Sequence, residues 1–275
     1  MKATLLKLFS LALLLAAHVT AAQAQYRKIL IWKDSVLVDQ FATDNIDSVT
    51  IEPAKIFLGD NTYMVDGHEF VDLGLPSGLL WATANVGADD ELEAGKYYAW
   101  AVSYPDPPYR EDHYKHYREF IFSYATDKYN WWDLRTVVEP ADDAATVNWG
   151  ADCRMPKIEE FEELADSSNC TWTWCSIACS GDADSVNGDT VFVNGYRVQS
   201  KNNGKWIFLP ASGSLIDDDP NLQNQYGMYW SSTLGPHDEE YSNRPYAYAF
   251  VFSESMAERN NNLRFYGFTI RPVAE

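Results

Sequence analysis

The sequence predicts an α+β chain in which β-structure dominates. Two observations carry that class. Short β-branched and aromatic runs follow one another between turn residues, and helical spacing of apolar residues occurs in only two stretches. An aromatic content of 15%, with ten Trp and seventeen Tyr, agrees with a β-rich core or with aromatic-lined loops.

The elements follow in chain order. KILIWK over 28–33 and VLVDQF over 36–41 flank Asp34-Ser35 and read as a hairpin, with a third short strand over 47–51. Residues 25–56 form a small β appendage, residues 57–63 a linker around Gly59-Asp60-Asn61, and residues 64–275 the main domain. Within that domain strands are predicted at 69–72, 79–83, 97–101, 170–174, 190–193, 196–200, 205–209, 228–232, 246–252 and 267–273. Asn194-Gly195 and Asn203-Gly204 are dipeptides that tolerate positive φ, so both are predicted to be hairpin turns. The helices are predicted over 140–148 and over 156–167. The second opens on Pro156, carries acids early, and sets Ile158, Phe161, Leu164 and Ala165 on one stripe. Trp81, Trp100, Trp149 and Trp230 read as core aromatics, and Arg271 as a structural residue able to meet a buried carboxylate.

Charge narrows the partners. Forty acidic residues face 21 basic ones, a net charge of -19, with no basic stripe; nucleic acid and anionic membrane are disfavoured. At the N-terminus, Lys2 and Lys7 precede an apolar run over 8–17 and then Ala22-Gln23-Ala24. That order predicts a signal peptide over 1–24, cleaved near Ala24, rather than a span, which needs about 20 apolar residues. The mature chain is expected to be exported (secreted, periplasmic or at the cell surface), without a membrane span. Export permits disulfides. Cys153, Cys170, Cys175 and Cys179 allow three pairings; one closes a tight Cys175–Cys179 loop and joins Cys153 to Cys170, and a zinc site is the rival use of the four.

Candidate chemistry is sparse. His113, His116 and Glu119 are spaced to share one helical face, as metal ligands would, although their segment lacks a helical period. Asp182, Asp184, Asn187 and Asp189 in GDADSVNGD resemble a calcium loop, with Val186 where an oxygen ligand is wanted, and Asp217-Asp218-Asp219 is a second acidic knot. Solvated turns are the plainer reading of both. No cofactor is expected from the sequence, calcium being the one candidate its loops offer. There is no G-x-S-x-G elbow, H-E-x-x-H pair or P-loop. The stretch 102–135 fits neither period and is rich in Tyr, Pro and charge. Long irregular stretches in compact domains often carry function. Tyr109, Tyr114, Tyr117, Tyr129, Trp131 and Trp132 are its candidate ligand contacts, able to stack on sugar rings or peptide.

HEFVDLGLPSGLLWAT over 68–83, Asn85-Val86-Gly87-Ala88 and Tyr97-Tyr98-Ala99-Trp100 open a series of ordered blocks. It continues with Asp142-Asp143-Ala144-Ala145, Asn148-Trp149-Gly150, Arg154-Met155-Pro156, Glu159-Glu160-Phe161, IFLPA over 207–211, Tyr229-Trp230-Ser231-Ser232 and GFTIRPV over 267–273. Over 64–273 these blocks resemble the Fibrobacter succinogenes major paralogous domain family. The N-terminal piece is similar to the short hairpin that often precedes such domains in secreted bacterial proteins. The resemblance implies a C-type-lectin-like fold in the form shared with formylglycine-generating enzymes: twisted antiparallel sheets, flanking helices, long loops, and an exported or surface protein. Two departures stand out, Ala101-Val102 where relatives have Gly-Glu, and Cys153 where many have Trp. The late cysteine pair of the copper enzymes is missing, since no Cys follows Cys179.

These readings converge on a non-catalytic recognition module that binds a glycan or a protein through aromatic loops. Two alternatives stay open: a structural component of a surface assembly that pairs its N-terminal strands with another chain, and a metal-dependent enzyme using His113 and His116.

Overall fold

The computed structural model describes residues 28–33, 36–42, 55–118, 125–130, 133–180, 190–236 and 246–275. The predicted signal segment, the strand over 47–51, Glu119, Trp131, Trp132 and the loop 181–189 lie outside them. The chain divides into two compact units, Met1–Glu52 and Pro53–Glu275. The first contains strands β1 (Lys28–Lys33) and β2 (Val36–Ala42), paired antiparallel from Lys28 opposite Ala42 to Lys33 opposite Val36.

The second unit holds the remaining elements. Its strands open with β3 (Ile56–Gly59), β4 (Thr62–Val65), β5 (His68–Asp72) and β6 (Leu80–Ala82), then the short pair β7 (Tyr117–Arg118) and β8 (Ala125–Thr126). Helix α1 (Ala144–Trp149), strand β9 (Cys153–Arg154) and helix α2 (Ile158–Ala165) follow. Then come β10 (Cys170–Ser180), β11 (Thr190–Ser200), β12 (Trp206–Pro210), β13 (Ser214–Ile216), β14 (Asp219–Asn221), β15 (Gly227–Leu234), β16 (Tyr246–Ser253), β17 (Met256–Leu263) and β18 (Val273–Ala274). Every pairing between these strands is antiparallel. The larger sheets run β3-β4-β5-β6-β18-β9, β10-β11-β12 and β15-β16-β17. The β-dominant α+β class is therefore the observed one.

Aromatic side chains bind these sheets together. One cluster gathers Tyr98, Trp100, Tyr129, Trp230 and Phe268; a second gathers Trp81, Phe161, Tyr229, Phe250 and Phe252 around Val198, Ile207 and Leu209. Trp81, Trp100, Trp149 and Trp230 are all core residues, as predicted. Two of them clasp reciprocally: the Trp100 indole donates to the Ser231 carbonyl and the Trp230 indole to the Tyr98 carbonyl, both at 2.8 Å. The predicted stripe of α2 is the buried one, through Ile158, Phe161 and Leu164. Its start is fixed by Glu160, which accepts the Lys157 N–H at 2.7 Å and also receives the Arg154 guanidinium. Helix α1 begins later than predicted because Asp143 is its N-cap, accepting from the Ala145 and Thr146 N–H groups.

Several expectations are corrected. Residues 57–63 are no linker: they form most of the β3–β4 hairpin at the edge of the six-stranded sheet, with Asp60 and Asn61 in left-handed conformation at its turn. Asn194-Gly195 makes no turn, since β11 runs straight through it. Gly195 is there for space. A Cβ on it would meet the Leu209 carbonyl at 2.3 Å and the Phe208 ring at 2.7 Å. Asn203-Gly204 does lie in a turn, within the five-residue connection 201–205 between β11 and β12. Residues 97–101 and 267–272 form isolated bridges rather than strands, chiefly Tyr98 opposite Phe268. Among the described residues Arg271 bonds to no carboxylate. Its fully buried guanidinium donates to the Asn85 side chain at 2.8 Å and to the carbonyls of Ala82, Thr83 and Phe208.

Candidate functional site

The irregular stretch after Trp100 is the most site-like part of the chain, and the structure changes its reading. Tyr109, Tyr114 and Tyr129 are 3%, 8% and 0% exposed, so their rings are not available for stacking on a ligand. Tyr117 is half-buried against the Tyr109–Tyr114 cluster. Each of the three buried tyrosines uses its amphipathic shape in the same way, with the ring in the core and the hydroxyl on a polar group that the loop would otherwise strand. Tyr109 donates to the Tyr97 carbonyl, Tyr114 to the Trp100 carbonyl at 2.7 Å, and Tyr129 to the Asp142 carboxylate at 2.7 Å. The Tyr109 ring lies against Gly267, where a Cβ would come within 2.9 Å of it.

Asp142 is the centre of a charged network that pins this stretch. It is 6% exposed and accepts from Lys115 at 2.9 Å, from Lys128 and from Tyr129. Burial alone would raise its carboxyl; those donors overcome that and hold it well below the ordinary aspartate range. Lys128 bridges onward to Glu139 at 2.6 Å, and Glu139 to Arg135 at 2.6 Å. Burial would lower the Lys128 ammonium, yet its contacts with Asp142 and Glu139 push it up. Burial lifts the Tyr129 phenol to about 12. Arg264 lies over Trp100, 4.9 Å from the ring centre, and donates to the carbonyls of Lys128 and Tyr129.

The two histidines are not brought together as metal ligands. His113 faces Asp106 at 3.3 Å, while buried His116 faces Asp127 and the Ala101 carbonyl, each at 3.0 Å. Burial keeps the His116 imidazole below its usual range, against the opposing pull of Ala101 and Asp127. No group of three or more His, Cys, Asp or Glu among the described residues is arranged to hold a metal ion. The calcium candidates Asp182, Asp184, Asn187 and Asp189 lie outside the described residues. Asp217 and Asp218 form the tip of the β13–β14 hairpin, whose backbone pairs with Tyr109 in both directions.

Cys153, Cys170 and Cys175 are free thiols. The tight-loop pairing is not formed, because Cys175 and Cys179 share the extended strand β10, about 13 Å apart and outside disulfide reach. Burial, reinforced by the charges of Asp66, Asp152 and Asp143, lifts the Cys153 thiol to about 12; burial and Glu163 lift Cys170 to about 11.

Among the described residues the pinned stretch presents few apolar groups outward. Leu134 is 79% exposed and held at a φ of 56°, a conformation that costs a non-glycine residue about 1–2 kcal/mol. Asp133 supports it, accepting from the Tyr129 N–H at 2.7 Å, the Arg135 N–H at 3.0 Å and the Arg135 guanidinium at 3.0 Å. The Asp133 N–H itself donates to the Asn130 side chain at 3.0 Å, bracketing positions 131 and 132. Val137 and Tyr104 are the other exposed large apolar groups among the described residues of this stretch. Lys115, Lys128, Arg264 and Leu134, and the role of Asp142, escaped the sequence reading. The partners lie 11 to 136 residues apart with no common period, and only the Asp142-Asp143 block marked the place.

No family model, no curated protein and no solved structure matches the chain in the comparisons made. Among the described residues no helix is long and apolar enough to cross a membrane.

Proposed function

We propose that the chain is an exported, non-catalytic recognition module of C-type-lectin-like fold, and that its contact surface is the rim of the 102–139 stretch around Leu134. The observation that carries the reading is the support of that rim. A buried ion network and three core tyrosines hold the stretch, and an exposed leucine is kept at a costly φ by its neighbours. Backbone strain of this kind persists where the surroundings over-determine it, commonly at binding sites. Around Leu134 the exposed apolar side chains among the described residues are the aliphatic Leu134 and Val137, with the aromatic Tyr104 exposed elsewhere on the stretch. Aliphatic groups suit a protein surface better than a sugar ring, so the Leu134–Val137 patch favours a protein ligand over a glycan. The export expectation rests on the basic-apolar-small order of residues 1–24, and the fold assignment on the blocks over 64–273.

The test is a glycan-array screen with calcium and again with a chelator, run beside Leu134→Asp and the double variant Trp131→Ala, Trp132→Ala. A blank array supports the protein-ligand form. Reproducible hits lost in both variants at unchanged melting temperature would keep the rim but make its ligand a glycan. Hits that both variants retain would sink the assignment of this rim.

A further inference from the structure

We infer that the outer edge of β10 is a self-association surface, on which a second copy of the chain pairs antiparallel about a two-fold axis through Cys175. This is independent of the recognition reading. Strand β10 spans eleven residues and lies at the edge of its sheet. Its sequence, CTWTWCSIACS, contains no charged residue and no proline, in a chain that is 22% charged. Proteins usually guard an open edge with charge, proline or shortness. Of the other edges, β17 carries exposed Glu258 and Arg259, β3 has only four residues, and β15, although also uncharged, is covered by backbone bonds to Thr136, Val138 and Thr269. The longest open edge is the unguarded one.

Hydrogen-bond direction gives the register. In β11 the N–H and C=O of Asn194 turn toward the β12 side, to the Asn224 side chain and the Ala211 N–H, and the Ser200 N–H turns there as well, to Lys205. Backbone direction alternates along an antiparallel strand, so Gly195 faces β10 and forms a hydrogen-bonded pair with Cys175. The N–H and C=O groups of Trp172, Trp174, Ser176 and Ala178 then point outward, and no described residue outside β10 bonds to them. A second copy that uses the full strand sets Trp174 against Ser176 and Trp172 against Ala178 as hydrogen-bonded pairs. Cys175 is the midpoint residue of β10. In that register it faces its own counterpart at a non-hydrogen-bonded position, where Cα atoms stand about 4.5 Å apart, within disulfide reach. Its free thiol is half-buried on the face shared by Thr173 and Ile177. Because the surface is self-complementary and uncharged, two copies of a strongly acidic chain meet there without repulsion at the seam.

The thiol gives the pairing a direct readout. With a small-molecule disulfide such as oxidised glutathione as oxidant, one Cys175 thiolate attacks the reagent and releases one glutathione thiol. The Cys175 thiolate of the second copy then displaces the other glutathione, leaving one intermolecular disulfide and two reduced thiols. The experiment measures sedimentation of the reduced protein and maps the disulfide formed under oxidised glutathione. A reversible dimer with a Cys175–Cys175 link is expected. Cys175→Ser should keep the dimer and lose the link, and Cys175→Lys should set like charges opposite one another and dissociate it. Ser176→Pro removes an outward N–H without touching the β10–β11 ladder, and should weaken the dimer about 10- to 30-fold. A monomer at every concentration would overturn the inference. So would a link running Cys175 to Cys179, the mark of a slipped register, or a dimer that ignores both Cys175→Lys and Ser176→Pro while their melting stays as in the parent.

Discussion

Removing the Asp142 carboxylate tests whether the charged network pins the irregular stretch or merely decorates it. In Asp142→Ala three donors lose their acceptor. The Tyr129 hydroxyl is fully buried and loses the acceptor for its own proton, keeping contacts with the Glu139 N–H at 2.9 Å and with Lys128, so its loss is worth about 1–2 kcal/mol. Lys115 and Lys128 are 33% and 23% exposed, and water recovers part of what they lose, leaving about 1–2 kcal/mol for the two together. The sum, about 3 kcal/mol, lies at the low end for breaking a buried pair. In a unit of this size it lowers the melting temperature by about 6–12 °C. Asp142→Asn keeps an oxygen for Tyr129 and should cost about half as much. Differential scanning calorimetry of both variants decides the matter. A fall of less than about 2 °C in the alanine variant, or equal falls in both, would refute the reasoning.

Acidification reaches the same residue by another route. Donors hold the Asp142 carboxyl below its ordinary 3.8, so the folded chain takes up that proton less readily than the unfolded one. The resulting stability is present above pH 3.8 and drains as pH falls below it; melting curves of the parent should fall faster there than those of Asp142→Asn, and parallel curves would show that the pairing contributes nothing. Tyr98 is fully buried, its hydroxyl has no hydrogen-bond partner among the described residues, and burial lifts its phenol to about 12. Tyr98→Phe is therefore expected to leave stability unchanged or raise it by about 1 kcal/mol, and a clear drop in melting temperature would reveal a partner for that oxygen. Gly195→Ala forces a Cβ against the Leu209 carbonyl and should cost about 1–3 kcal/mol in chemical denaturation. Gly204→Ala meets nothing within 4 Å and should cost only the strain of its φ of 75°, about 1 kcal/mol; the reverse order would contradict the close-approach account.

What the sequence reveals depends on whether a residue's role is local. Helix α2 is legible because proline, early acids and an apolar stripe all lie within twelve residues. Strand β16 is legible from its run of aromatics and aliphatics. Its neighbour β17, MAERNNNL, has no apolar alternation and exists because β16 offers it a ladder of eight pairs. Asn194-Gly195 misleads for a related reason: a glycine chosen for close approach looks the same in sequence as one chosen for positive φ. The tyrosines of the candidate site are the sharpest case. Local composition places Tyr109, Tyr114 and Tyr129 at the surface of a polar loop, whereas their burial is decided by Gly267, the Trp100 carbonyl and Asp142, none of which shares their segment.

The raised thiols of Cys153 and Cys170 make the chain carry its own unfolding clock. A thiol-specific reagent attacks the thiolate, and at neutral pH both residues are protonated and sealed from solvent, so neither reacts until the structure around it opens. The two sit in different aromatic clusters, Cys153 in the first and Cys170 in the second. Equal labelling rates at both positions under native conditions would mean that the two clusters open as one cooperative unit. Unequal rates would give each its own opening free energy, and would say which half of the core lets go first.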